Sequence, residues 1–116
     1  MRHNPPVMTA TWDEFERLQL TVGRIVDVEE FPEARVPAWK LTIDFGRHGV
    51  RRSSAQIPHY AREELLGRQV VCVLGFEPKR IAGFSSEVLV LGAMSEQSGV
   101  VLLRPDREVD DGTSVA

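Results

Sequence analysis

Trp39, Leu41, Ile43 and Phe45 alternate without a break with Lys40, Thr42 and Asp44. An apolar residue at every second position makes one apolar face on an extended chain. It cannot make one on a helix, whose repeat is 3.6 residues. The alternation therefore predicts a half-buried strand, and neighbouring segments continue in the same style. Residues 70–76 are nearly all apolar, as a strand covered on both faces would be. Leu20, Val22, Val26 and Val28 alternate along another strand. Gly23 inside it reads as the bulge or bend that a small closed barrel needs. Residues 50–57 form a weaker strand signal, and 88–91 and 100–103 are two further short ones.

Helical signals are few. Thr11 and Glu14 have the capping-box spacing, and Trp12, Phe15 and Leu18 follow at helical intervals, predicting a short amphipathic helix. Pro58 is suited to open a second helix that Gly67 ends, with Ala61, Leu65 and Leu66 as its apolar positions. Three strands, a short helix and then further strands is the order of an OB-fold. The expected fold is all-β: a small five-stranded OB-fold barrel with a short helix between strands 3 and 4, an N-terminal helix and extra C-terminal strands. At 116 residues one core suffices. Residues 1–10 read as a flexible tail and 11–116 as a single domain. The tail from Pro105 is acidic, with a turn at Asp111 and Gly112.

Net charge is −3, unevenly placed. Residues 35–80 hold nine Lys and Arg against four acids, while both flanks are acidic. That distribution argues against a wholly basic nucleic-acid binder and allows one basic face. The single cysteine, Cys72, excludes an internal disulfide and reads as a small buried thiol. This usage fits a reducing compartment, so the expected location is cytoplasmic. Residues 1–11 lack the apolar stretch of a signal peptide, and no run reaches the length needed to insert into a membrane.

Catalysis finds no support in the spacing. His3, His48 and His59 form no metal-ligand pattern with Cys72, and Ser53, Ser54, Ser85 and Ser86 sit in no nucleophile elbow. The expectation is a protein that is not an enzyme, with no cofactor and no metal site. His59, beside Pro58, reads as a residue of the first helical turn.

The strings FPEARVPAWKLTIDFG (31–46), SSAQI (53–57), KRIAGFSSEVLVLG (79–92) and VVLLRPD (100–106) together resemble the CsaA-type export-related chaperones. These are a branch of the tRNA-binding-domain family, to which the C-terminal domain of many methionyl-tRNA synthetases also belongs. The resemblance runs from about Trp12 to the C-terminus. It implies an OB-fold homodimer that binds unfolded or precursor polypeptides, with the secretion ATPase SecA as a further partner. Two departures from the tRNA-binding pattern, at 54–57 and at 86–89, favour the chaperone branch. Glu87 in the second adds negative charge to the face where nucleic acid would lie. The expected function is therefore an ATP-independent chaperone in protein export. The alternative is a module for tRNA or single-stranded nucleic acid, for which weak tRNA binding would be the residue of the family pattern.

Lys79 and Arg80 are the leading cationic candidates for ligand contact, followed by Arg35, Arg51 and Arg52. At Arg51 and Arg52 ordinary solvated placement competes with that role. Phe31, Trp39, Ile81 and Phe84 are the apolar candidates, and Ser86 completes the ligand-binding set. Trp39 fits the strand alternation as a core residue. Phe84 follows Gly83 in a loop, so an exposed ring that grips client side chains is expected there. The dimer contact is expected to use Trp12, Phe15 and Leu18 of the first helix with Val100 and Leu102 of the last strand.

Overall fold

In the computed structural model, residues 8–116 are described, so the predicted tail at 1–10 lies mostly outside the described residues. Thr11 caps helix α1 (Trp12–Leu18) reciprocally with Glu14. Its hydroxyl accepts the Glu14 N–H at 3.1 Å, and the Glu14 carboxylate accepts the Thr11 N–H at 2.8 Å. The helix is held by its last turn, where the Leu18 carbonyl accepts the Gly75 N–H at 2.9 Å. A methyl group at Gly75 would collide with the Arg17 carbonyl, so this contact requires glycine.

Strands β1 (Leu20–Glu30), β2 (Trp39–Asp44), β3 (Val50–Ala55) and β4 (Gln69–Val73) follow. Then come a hairpin of β5 (Lys79–Ile81) and β6 (Phe84–Ser86), the short β7 (Leu89–Val90), and a second hairpin of β8 (Gly92–Ser95) and β9 (Gly99–Leu102). The main sheet is antiparallel in the order β3-β2-β1-β4-β7 and curls into a nearly closed five-stranded barrel of OB type. The predicted alternation holds. Leu41, Ile43 and Phe45 are fully buried, and Ile25, Ile57, Leu65, Val70 and Cys72 complete the centre of the core. Burial pushes the Cys72 thiol up to about 12, so it is an inert core group.

The barrel turns where β1 changes partners. Residues 20–24 pair with β4 and residues 24–30 with β2. The register slips between Ile25 and Asp27, leaving Val26 unpaired and exposed. The bulge thus sits at Val26, not at Gly23. Gly23 serves packing instead: a methyl group there would lie 2.5 Å from Phe45 Cε1 and 2.6 Å from Ile43 Cγ2.

Helix α2 (Arg62–Leu65) does lie between β3 and β4, but it is one turn long. Pro58 and His59 belong to the turns before it, because Ile57 and Tyr60 donate to Ala55 and Ile57 in tight reversals at 2.9 and 3.0 Å. The helix starts only where the Glu64 carboxylate accepts the Ala61 N–H at 2.8 Å. Leu65 is buried, whereas Leu66 is exposed. His59 packs on Gly99, its Nε2 2.8 Å from the Val100 carbonyl, so it ties the β8–β9 hairpin to this turn.

The acidic tail is a structural strap. Val22 donates to Thr113 at 2.8 Å, Gly112 to Val22 at 2.7 Å and Val115 to Leu20 at 2.9 Å, covering the edge of β1 that β2 does not reach. Arg24 holds Glu108 at 2.6 Å and Asp111 at 3.3 Å, and the Gln69 amide donates to the Val109 carbonyl at 2.7 Å.

Two expectations about apolar residues are corrected. Strand β4 ends at Val73, and Phe76 beyond it is exposed. Leu102 belongs to the core and Val100 packs against it. The pairing of Gly92 with Leu102 sets a parity in which Val101, not Leu102, points outward; Val101 and, just past the strand, Leu103 are exposed.

Candidate ligand-binding face

The outer surface of β2 and β3 meets the β5–β6 hairpin beside Phe31, at the end of β1. Hairpin geometry follows from its tip. Ala82 and Gly83 take φ of 48° and 82°, the two left-handed residues of a type I′ turn, whose twist matches the flanking strands. Arg80 donates to the Gly83 carbonyl at 3.0 Å across that tip. Lys79 and Arg80 are consequently displayed on a short braced ribbon, both exposed.

Phe84, at the base of the ribbon, is buried rather than exposed, at 8% of its free surface. Its ring meets that of Phe31 edge to face, centroids 5.5 Å apart. Two cations cover the pair. The Lys40 ammonium lies 4.8 Å from the Phe31 centroid and 5.4 Å from that of Phe84, and the Arg52 guanidinium lies 4.6 Å from Phe84. Lys40 is not among the predicted contacts, although the alternation that buries Leu41 and Ile43 already places it outward. The expected apolar grip at Phe84 is therefore corrected: the loop folds back far enough for Phe31 to cover the ring, a long-range contact that local spacing does not announce.

Carboxylates are interleaved with these cations. Arg52 pairs with Glu29 at 2.6 Å. The Glu87 carboxylate accepts the Arg52 backbone N–H at 2.9 Å, while the Glu87 N–H donates to the Arg52 carbonyl at 2.8 Å. The Ser86 hydroxyl accepts the Ser54 N–H at 3.0 Å, and the Ser53 hydroxyl donates to the Val88 carbonyl at 2.8 Å. Ser86 and Glu87, the residues of the second sequence departure, thus close the barrel seam between β3 and the stretch leading into β7.

Of the predicted contact residues, the fold gathers Arg52, Lys79, Arg80, Ile81, Phe84 and Ser86 around this face. Arg35 lies exposed in the loop after Phe31. Arg51 is the exception: it pairs with the buried Ile43, so neighbouring Arg51 and Arg52 point to opposite faces of β3. Trp39 is half-buried and donates to the Tyr60 carbonyl at 3.1 Å. Among the described residues no group of three or more His, Cys, Asp or Glu is placed to hold a metal. No helix among them is long and apolar enough to cross a membrane.

Comparison with known proteins gives a consistent picture. A family model described as a tRNA binding domain matches residues 20–114. The solved CsaA chaperone of Bacillus anthracis is 50% identical, with a TM-score of 0.87 over 94% of this chain and 100% of that one. The CsaA chaperone of Picrophilus torridus is 44% identical, with a TM-score of 0.88 over 93% and 100%. The methionine–tRNA ligase of Pyrococcus abyssi is 35% identical over 93% of this chain. The chain spans only 15% of that ligase, and 14% of the one from Thermococcus onnurineus.

Proposed function

This chain belongs to the tRNA-binding-domain family, and we propose that it acts there as an ATP-independent chaperone that holds unfolded or precursor polypeptides. The CsaA chaperones are 44% and 50% identical to this chain, against 35% for the ligase of Pyrococcus abyssi, which supports the chaperone branch. One feature of the face carries the reading. Glu29 and Glu87 are set among Lys40 and Arg52 over an apolar floor, a mixed-charge surface suited to a chain bearing both signs and unsuited to a polyanion. The role assigned is binding, with no catalytic residue. The working location is the cytoplasm, with exported precursors as clients and SecA as the partner that takes them onward.

A second reading, tRNA binding, has its own observation in the exposed Lys79 and Arg80 on the braced hairpin. A side-by-side titration separates the two. With Arg52 already paired and Arg51 on the other face, contacts by Lys79 and Arg80 alone give a log–log salt slope of about −1.4 for a single strand, and adding the exposed Arg35 brings it to about −2.1. Polypeptide binding is expected to survive moderate salt and to suppress client aggregation without ATP. Any tRNA binding should be weak and vanish in a Lys79→Ala, Arg80→Ala variant. Tight, salt-steep tRNA binding with no affinity for unfolded polypeptide would reverse the ranking.

The assembly we propose is a homodimer formed by α1 and the outer side of β9. Trp12 is 81% exposed, and Val101 and Leu103 replace Val100 and Leu102 as the outward apolar pair. Light scattering should give twice the 13.0 kDa chain mass at micromolar concentration. A monomer throughout that range contradicts the assembly.

A further inference from the structure

We propose that Glu29 sets what this face accepts: by holding Arg52 it withholds from phosphate the guanidinium seated on the aromatic pair, so the face disfavours nucleic acid and keeps polypeptide. The inference rests on the polypeptide-holding reading and names the residue that enforces its specificity.

The pairing is not the one the strand ladder predicts. In the β1–β2 register Glu29 stands directly opposite Lys40. Arg52 stands opposite Thr42, one same-face step along and on the far side of β2. Opposite charges that face each other across a ladder ordinarily pair. Here the Lys40 ammonium lies instead on the Phe31 and Phe84 rings, and the Glu29 carboxylate reaches over β2 to Arg52 Nη2 at 2.6 Å. Among the described residues that carboxylate has no other hydrogen-bond partner.

Arg52 is the side chain a phosphate would use. Its guanidinium lies 4.6 Å from the centroid of the buried Phe84 ring, which positions it while leaving the side chain partly exposed. Of the five N–H donors of a guanidinium, side-chain pairing engages one, and the planar fork matches phosphate bidentately. Freed from Glu29, Arg52 would join Lys40, Lys79 and Arg80, none of which forms an ion pair among the described residues. Four cations on one face can follow a phosphate backbone. With Glu29 in place, a phosphate must displace one carboxylate and then lie beside it. Glu87 is committed elsewhere, since its carboxylate holds the Arg52 backbone N–H. An exposed ion pair changes a binding constant by at most about five-fold, so Glu29 tilts the choice and does not lock it.

The test titrates a short single-stranded oligoribonucleotide and a reduced, unfolded protein against four chains. These are the unmodified protein, Glu29→Gln, Glu29→Gln with Arg52→Gln, and Glu30→Gln. Glu30 is exposed and adjacent, on the opposite side of β1, so its substitution removes the same charge without touching Arg52. Glu29→Gln is expected to tighten the oligoribonucleotide about five-fold and to steepen its log–log slope by about 0.7, one added phosphate contact, between about 50 and 200 mM salt. Adding Arg52→Gln should abolish both changes, and Glu30→Gln should produce neither. The unfolded protein should bind Glu29→Gln about two-fold more weakly, because the face gives up a carboxylate that meets client cations. An unchanged slope in Glu29→Gln overturns the proposal. So does a gain that Glu30→Gln shares, or one that survives the loss of Arg52. Failure of the unmodified chain to hold the unfolded protein overturns the holding reading by itself, and the oligoribonucleotide titrations still decide the role of Glu29. Should the double variant not fold, the comparison of Glu29→Gln with Glu30→Gln remains decisive.

Discussion

Replacing Phe84 by alanine is expected to lower the free energy of unfolding by about 3–5 kcal/mol, the range of buried Phe→Ala changes. The ring is buried, meets Phe31 edge to face and seats both Lys40 and Arg52. Truncation would open a cavity at the base of the β5–β6 ribbon and remove the ring that Phe31, Lys40 and Arg52 all contact. Urea unfolding measures it directly, and Phe84→Leu should retain most of the stability because it refills most of the volume. A loss below about 1 kcal/mol for Phe84→Ala would mean that the ring is not packed as described. Any loss of client binding in this variant must therefore be read only after correction for its folded fraction.

Gly23→Ala should also be clearly destabilising, although it adds a single methyl group. That methyl would sit 2.5 Å from Phe45 Cε1 and 2.6 Å from Ile43 Cγ2, both on fully buried side chains with no free space to retreat into. Overpacking of a close-packed core costs about 1–3 kcal/mol. Gly67→Ala makes a useful contrast, since its penalty comes from a φ of 84° with nothing within 4 Å of the added methyl. Thermal melts of the two variants distinguish crowding from backbone strain if Gly23→Ser, larger again, falls below Gly23→Ala. Equal stability of wild type and Gly23→Ala would show that β1 and β2 do not approach this closely.

Much of the fold is legible in the amino-acid sequence for one reason: its signals are local. The 39–45 alternation names its own buried face, the Thr11–Glu14 spacing names its own helix start, and the apolar run at 70–76 names a strand buried on both sides, which the structure ends at Val73. The long strings that resemble the CsaA-type chaperones likewise point to the family that residues 20–114 match. Where sequence and structure part, the deciding partner lies far along the chain. Gly23 suggests a bulge because glycine weakens strands, yet Phe45, twenty-two positions away, is what requires it. Pro58 suggests a helix start because its φ suits one, yet the reversals at Ile57 and Tyr60 take the chain elsewhere.

The candidate face divides in the same way. Residue types in a basic, aromatic, serine-bearing loop are visible in the sequence, and so is the departure at Ser86 and Glu87. Only the tertiary structure decides what each does. Phe84 is a buried floor and not an exposed grip because Phe31 folds over it from another strand end. Arg51 and Arg52 part because the pairing of β3 with β2 sends neighbours to opposite faces. Glu87, a charge that opposes nucleic acid, also holds the barrel shut through the backbone of Arg52. Periodicity determines which side of an element is apolar, since that depends on bonds within the element. Which residues from distant elements come to share a surface depends on how the sheet curls and closes, and that is fixed by register, bulge and seam.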